Sequence, residues 1–168
     1  MTNEQVRTLL DFFSASLAYE VPVTKKVLAA VPAGPANQYR PDPKSRSGLE
    51  LAYHIAFTEK WFCDSFLAGS FDMVEEKVPG SIQGGEDLAA WYEANVPPLL
   101  EKVKQLPPEK LAQSVDFFGV FNQPVVTYLG FFVNHTVHHR GQLSSYLRAM
   151  GSKVPSIYGG SADEPMQM

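Results

Sequence analysis

The sequence predicts an all-α protein, a four-helix bundle, and three observations support this fold class. Apolar residues recur at intervals of three and four residues in four long stretches, the period of an amphipathic helix. Proline and glycine concentrate between these stretches, where helices end. Patterns typical of strands are scarce, so helices are expected to pack on helices around one core. We expect residues 1–168 to form a single domain, because this length is sufficient to bury one.

The first predicted helix spans roughly residues 3–30. Asn3 is placed to cap it, and the apolar residues that follow have helical spacing. Pro22 interrupts the pattern and predicts a bend, because proline removes an amide donor and clashes with the preceding turn. Residues 31–46 are rich in proline, which predicts a loop that crosses the end of the bundle or borders a pocket.

The second predicted helix has clear start and stop signals. Ser47 and Glu50 have the spacing of a capping box, in which each side chain bonds the backbone of the other residue. Gly69 is typical of a helix end, so the helix is expected to run to about Ala68. His54 lies in the middle of this helix.

The third predicted helix begins near Glu86 and is interrupted by its own prolines. Pro97-Pro98 should kink or break it, and Pro107-Pro108 should end it. Residues 109–122 fit either a loop or a short extended strand.

The last predicted helix carries most of the histidines. Asn122 is expected to cap it, and it should run to Met150 with Gly151 closing it. Gly130 and Gly141 are internal, and each costs about 1 kcal/mol relative to alanine. Each therefore indicates close packing or the approach of a ligand.

Composition and charge exclude several classes of function. The net charge is −4 with no basic block, which disfavours a nucleic-acid or anionic-membrane partner. No apolar run is long enough for a membrane span, and the first ten residues lack the apolar core of a signal peptide. The single cysteine, Cys63, excludes an internal disulfide and fits a reducing compartment. We therefore expect a cytoplasmic protein.

Three histidines form the candidate functional site. Residues four apart on a helix point the same way, offset by about 40°, so His135 and His139 share one face. His54 is the only histidine outside the 135–139 segment. Three neutral imidazoles suit Zn²⁺, Ni²⁺, Fe²⁺ or Cu²⁺ and leave a coordination position open for water or substrate. The competing interpretation is that these histidines are ordinary polar residues of the core or surface.

Neighbouring polar residues have weaker claims on the site. His138 lies to one flank of the stripe, so we expect a supporting or surface role. Glu50 can join a metal or orient His54, but the capping box competes for the same carboxylate and is favoured. Glu59 is expected to pair with an arginine or lysine elsewhere. Thr136 stands where a zincin protease carries its glutamate, so that mechanism is not expected. Aromatic residues on the same stripes could line a cavity, although such stripes more often belong to the core: Trp61, Tyr128, Phe132 and Tyr146.

These residues resemble the DinB/YfiT-like family of putative metalloenzymes. The similarity consists of His54 in the second helix and the segment His135-Thr136-Val137-His138-His139-Arg140-Gly141-Gln142 in the last one. The ending Leu147-Arg148-Ala149-Met150-Gly151, followed by Val154-Pro155 and Tyr158-Gly159, is similar as well. The segment in the last helix is the more specific part, and the similarity covers most of the chain.

The resemblance implies an up-down-down-up bundle and one divalent metal, most often zinc or nickel, with His54, His135 and His139 as ligands. It also implies a homodimer and a small-molecule substrate. Some relatives use a low-molecular-weight thiol, among them maleylpyruvate isomerase and bacillithiol transferases. Arg140 and Arg148 are candidates to bind the carboxylates of such a thiol, or are surface or interface residues.

Three functions remain open from the sequence. The first is a metal-dependent S-transferase or hydrolase. The second is a stress-response bundle that binds a metal or small molecule without turnover. The third is a structural dimer whose histidines are only polar residues of the core.

Overall fold

The computed structural model describes residues 1–166 and is mostly helical. In chain order its elements are α1 (Asn3–Ala29), a short 3₁₀ helix (Pro35–Gln38), α2 (Gly48–Ala68), α3 (Gly85–Asn95), α4 (Pro97–Lys104), α5 (Pro108–Leu111), β1 (Ser114–Phe117), β2 (Phe121–Pro124) and α6 (Val125–Ala149). The predicted all-α four-helix bundle is confirmed, with α3 and α4 together occupying the third position. None of the helices described combines the length and the apolar character that a membrane-spanning segment requires.

Contacts along α1 and α6 show that these two helices are parallel. The Phe13 ring lies against Gly130 in the first half of each helix. Further along, Arg140 donates a hydrogen bond to Thr24. Beyond both helices, the Ser152 hydroxyl donates to the carbonyl of Ala30. These contacts advance in the same direction along both helices, so α1 and α6 are parallel.

The remaining helices run in the opposite direction. Gly48, at the start of α2, lies against Met150, which follows α6. Gly85, at the start of α3, donates its backbone N–H to the carbonyl of Val31, just beyond α1. Because α2 packs on α6 and α3 packs on α1, both are antiparallel to those partners. The order is up-down-down-up, which the family resemblance implied.

Helix ends follow the predicted chemistry at α2 and differ at α1. The Ser47–Glu50 capping box is present, and Gly69 ends α2 with φ of 75°, a conformation that glycine adopts without strain. At α1 the N-cap is Thr2, whose side chain and that of Gln5 form a capping box. The prediction of Asn3 as the cap was therefore wrong by one position.

The segment before α6 is a hairpin, which overturns one further prediction. β1 and β2 pair antiparallel, with Asp116 opposite Asn122. Asn122 therefore belongs to a strand and does not cap α6, whose N-cap position is occupied by Pro124. The chain reverses direction at Phe118 and Gly119, both of which have positive φ. Asn122 therefore pairs with β1 instead of capping α6.

The two glycines inside α6 have different surroundings. A Cβ on Gly130 would come within 2.9 Å of the Phe13 ring, so this position allows α1 and α6 to approach closely. A Cβ on Gly141 would meet no atom of the described residues within 4 Å. Close packing thus accounts for the first glycine only.

Candidate metal centre

Side chains from α2 and α6 bring the three predicted histidines to one place. His54 comes from α2, and His135 and His139 come from successive turns of α6. The ring centroids are 4.4 Å apart for His135 and His139, 4.7 Å for His54 and His139, and 5.1 Å for His54 and His135. One nitrogen of each ring lies within 4.8 Å of the other two. This spacing allows all three rings to reach a single ion.

The His54 ring is oriented by a carboxylate from the loop after α2. Its Nδ1 lies 2.7 Å from Oε2 of Glu76. A carboxylate only accepts hydrogen bonds at neutral pH, so Nδ1 carries the proton and Nε2 keeps a free lone pair. A histidine held by a carboxylate in this way is a common arrangement among metal ligands.

The His139 ring is oriented by a residue one turn further along α6. Its Nδ1 lies 3.1 Å from Oε1 of Gln142, which again leaves Nε2 free. His138 is exposed, and its ring packs 4.7 Å from that of His139. It lies outside the group of three, in agreement with the supporting or surface role expected for it.

Burial and neighbouring imidazoles both act on the His135 ring. Desolvation, followed by the neighbouring imidazoles of His139 and His54, lowers its pKa to about 3. Burial is also the main cause that lowers the pKa of His139. Both rings are therefore neutral at physiological pH, and the neutral imidazole is the form that binds metals.

The residues of the cluster are suited to bind a divalent ion. Three imidazole nitrogen donors match the ligand preference of zinc, nickel, iron or copper. Nδ1 of His135 is buried and finds no hydrogen-bond partner among residues 1–166. Orphaned polar atoms are rare in folded proteins and are concentrated at functional sites, so this nitrogen marks the cluster as more than a packing feature.

Two other residues considered from the sequence lie outside the cluster. Glu50 accepts hydrogen bonds from the backbone of Ser47 and from Arg40, and the Ser47 bond is the main cause that lowers its pKa. The capping interpretation of Glu50 is therefore correct. Cys63 is fully buried, and desolvation raises the pKa of its thiol, so it is a core residue.

The prediction for Glu59 was wrong. Its carboxyl group is buried and accepts hydrogen bonds from Tyr92 at 2.5 Å and from Thr136 at 2.9 Å. The partners are hydroxyl groups, and no ion pair to Glu59 is found in the described part of the chain. Thr136 therefore has a defined role, which is to tie α6 to α2 next to the histidines.

The arginines considered for a thiol cofactor are committed elsewhere. Arg140 is 1% exposed and forms a buried ion pair with Glu20, with further hydrogen bonds to Thr24 and Tyr158. Arg148 pairs with Asp163 at the surface, at 2.9 Å. Both therefore have partners within the chain.

The aromatic stripe belongs mainly to the core. Tyr128, Phe132 and Tyr146 are all buried, in agreement with the core interpretation. Trp61 packs against the ring of Phe118 in the hairpin turn. The aromatic ring beside the site is Phe62, whose centroid is 6.0 Å from that of His135.

Two site residues were missed from the sequence. Gln142 lies on the same helical stripe as the histidines, so its position could have revealed it. Glu76 lies in an irregular loop 22 residues after His54, where no periodic pattern indicates the direction of a side chain.

Fold and site together define a class: a helical bundle with a three-histidine cluster between two of its helices. A family model described as the DinB family matches residues 7–167. The chain therefore belongs to the DinB family, as the resemblance in its sequence indicated.

Individual relatives agree with this assignment. The chain is 29% identical over 122 residues to the uncharacterized protein YjoA of Bacillus subtilis, covering 71% of this chain and 77% of that protein. The crystal structure of that DinB-like protein superposes with a TM-score of 0.65 at 22% identity, covering 89% and 97% of the two chains. A DinB-like protein from Bacillus cereus superposes with a TM-score of 0.68 at 25% identity, covering 87% and 95%.

Proposed function

We propose that this protein is a metal-dependent enzyme in which His54, His135 and His139 hold one divalent ion. The observation that carries the proposal is the convergence of three imidazoles from two helices, two of them fixed by Glu76 and Gln142. Zinc or nickel is the expected ion, with iron or copper also compatible with nitrogen ligands. A divalent ion with three protein ligands supplies an open position at which the pKa of a bound water or thiol is lowered.

The chain's own residues prepare the site for this role. Glu76 holds the proton on Nδ1 of His54, so the opposite nitrogen is free to coordinate. Burial keeps His135 neutral, so an ion does not have to displace a proton from that ring. The proposed reactions are transfer of a low-molecular-weight thiol to an electrophile, or hydrolysis.

A second candidate function is binding of a metal or small molecule without turnover. One observation favours it: the carboxylates on this side of the bundle, Glu76 and Glu50, are both engaged, with His54 and with Arg40 and Ser47 respectively. A general base is therefore not supplied by either group in this arrangement. The homodimer and the cytoplasmic location expected from the sequence stay predictions.

Metal content is the first experiment. Elemental analysis of the purified protein should find about one zinc or nickel ion per chain, and His135→Ala should remove it. His138→Ala is the matched control, because it deletes an adjacent exposed imidazole outside the group. Equal and substoichiometric metal in all three proteins would refute the metal site.

Turnover then separates the two candidates. The metal-loaded protein is assayed with small thiols and an epoxide, an alkyl halide or an activated alkene, and with ester substrates for hydrolysis. An enzyme gives a rate above background that a chelator abolishes, and His138→Ala keeps that rate. Tight metal binding with no rate above background would favour the binding module.

A further inference from the structure

A cleft of about 400 Å³ opens beside the histidine cluster. Glu76 belongs to both regions, because its carboxylate bonds the His54 ring and also lines the cleft. The cleft is otherwise lined by residues just before α2, in its N-terminal part and in the loop that follows it: Arg46, Glu50, Tyr53, Lys77 and Val78. Apart from Glu76, its charged side chains are not used by the proposed metal site.

The carboxylates of the cleft form close contacts, whereas Arg46 has only a long contact with Glu76 and Lys77 has no ion pair among the described residues. Glu50 is bonded by Arg40 at 2.8 Å, and Glu76 is bonded by His54 at 2.7 Å. Nη2 of Arg46 lies 3.5 Å from Glu76, longer than a charge-assisted hydrogen bond, and its side chain is 47% exposed. Lys77 forms no ion pair with any residue from 1 to 166.

The cleft is less negative than the chain as a whole. Its lining holds two cations, Arg46 and Lys77, and two carboxylates, Glu50 and Glu76, whereas the chain carries a net charge of −4. Arg40, outside the lining, pairs with Glu50. Arg46 also lies close enough to His135 and His139 for its charge to contribute to lowering the pKa of both rings. Glu76, which Arg46 contacts at 3.5 Å, connects the cleft to His54.

We propose that Arg46 and Lys77 bind a small anion, through carboxylate or phosphate oxygens, beside the three histidines. This inference deepens the proposed function by naming the chemical class of its substrate. A guanidinium presents paired donors that match a planar carboxylate or a phosphate, and lysine adds a flexible point charge. An anion bound there holds the rest of the same molecule next to the site where an ion is proposed to bind.

Calorimetric titration tests the cleft separately from the metal. Succinate is titrated into wild type in chelator-treated and zinc-loaded forms, and inorganic phosphate is titrated into the chelator-treated form. The variants are Arg46→Gln, Lys77→Gln and both together. Lys44→Gln is the matched control, because it removes one exposed positive charge two residues from Arg46 and outside the cleft.

We expect the double variant to bind succinate or phosphate at least about tenfold more weakly than wild type, with Lys44→Gln within about twofold. The proposal is overturned if the double variant binds succinate as tightly as wild type in both the chelator-treated and the zinc-loaded form, or if neither anion binds wild type at about 10 mM. It is also overturned if succinate binds only the zinc-loaded form and the double variant binds it equally well, since the ion would then be the anion site. Because the chelator-treated form is measured too, failure of metal binding does not affect this test.

Discussion

Successive residues of α6 belong to two regions of opposite character. His135 and His139 face a half-buried gap shared with His54. Thr136 and Arg140 each follow one of these histidines, about 100° further around the helix, and both are buried. One helix therefore presents an i, i+4 pair of imidazoles on one face and an i, i+4 pair of structural polar residues on the next.

The difference between the two regions lies in their partners. Thr136 donates a hydrogen bond to Glu59, and Arg140 donates to Glu20, Thr24 and Tyr158. The polar groups of the face that carries Thr136 and Arg140, the inner face, are therefore paired within the chain. On the face that carries His135 and His139, the outer face, Nδ1 of His135 is buried and has no hydrogen-bond partner in the described residues. Buried polar groups that are fully paired stabilise a fold, and those left unpaired indicate a role with something outside it.

The largest effect is expected at Arg140, where the comparison predicts a purely structural role. Arg140→Ala leaves Glu20 without its buried counter-charge, which typically costs about 3–5 kcal/mol of unfolding free energy. Urea denaturation of the chelator-treated protein measures this loss. Arg148→Ala is the control, because its ion pair with Asp163 is exposed and is expected to contribute little to stability.

A loss below about 1 kcal/mol at Arg140 would break the comparison. The buried ion pair would then be as weak as a surface one, and the assignment of the inner face to stability would fail.

Glu59 gives the inner face a predicted pH dependence. Burial raises its pKa to about 7 from the ordinary 4.5, against the opposing hydrogen bonds from Tyr92 and Thr136. The pKa of Glu59 is higher in the folded protein than in the unfolded one, so its protonated carboxyl group stabilises the fold fully below pH 4.5. This contribution to the free energy of unfolding is lost as the pH rises to 7. The loss is on the order of 3 kcal/mol relative to Glu59→Gln, which does not titrate.

Denaturation of wild type and Glu59→Gln at pH 5 and pH 8, both with chelator, measures this difference. All other ionisable groups are present in both proteins, so their contributions are expected to cancel. Glu75→Gln, at an exposed position, should show no comparable change relative to wild type. A stability difference between wild type and Glu59→Gln that is the same at both pH values would contradict the assigned pKa.

A smaller effect is expected at Glu76, which sharpens the comparison from the outer face. Glu76→Gln removes the carboxylate that orients His54, and loss of such a partner typically weakens metal binding by roughly tenfold. Zinc titration against a competing chelator measures the change. Glu75→Gln removes the adjacent exposed carboxylate and should leave the affinity unchanged. Equal affinities of all three proteins would show that Glu76 does not support the ring.

Periodicity predicted the helices and the direction of the histidine rings. Ser47, Glu50 and Gly69 delimited α2 from local rules, because capping depends on residues only a few positions apart. The spacing of His135 and His139 gave a shared face for the same reason. That His54 joins them depends on how α2 and α6 pack, and here the family resemblance supplied what spacing alone does not contain.

Contacts between distant parts of the chain account for what the sequence did not reveal. The sequence leaves Arg140 as a candidate to bind the carboxylates of a thiol, or as a surface or interface residue, whereas the structure buries it in an ion pair. Its partner Glu20 lies 120 residues away. Glu76 reaches His54 from a loop without regular structure, where no repeat indicates which way a side chain points.

The most direct test of the central claim is the metal affinity of His54→Ala, since this ring alone comes from α2. Isothermal titration of the chelator-treated wild type should give one zinc ion per chain. His54→Ala should bind at least about a hundredfold more weakly, beyond the loss of an orienting partner, while His138→Ala keeps the wild-type affinity. If His54→Ala binds zinc as tightly as wild type, the two helices do not share an ion and the proposed centre is refuted.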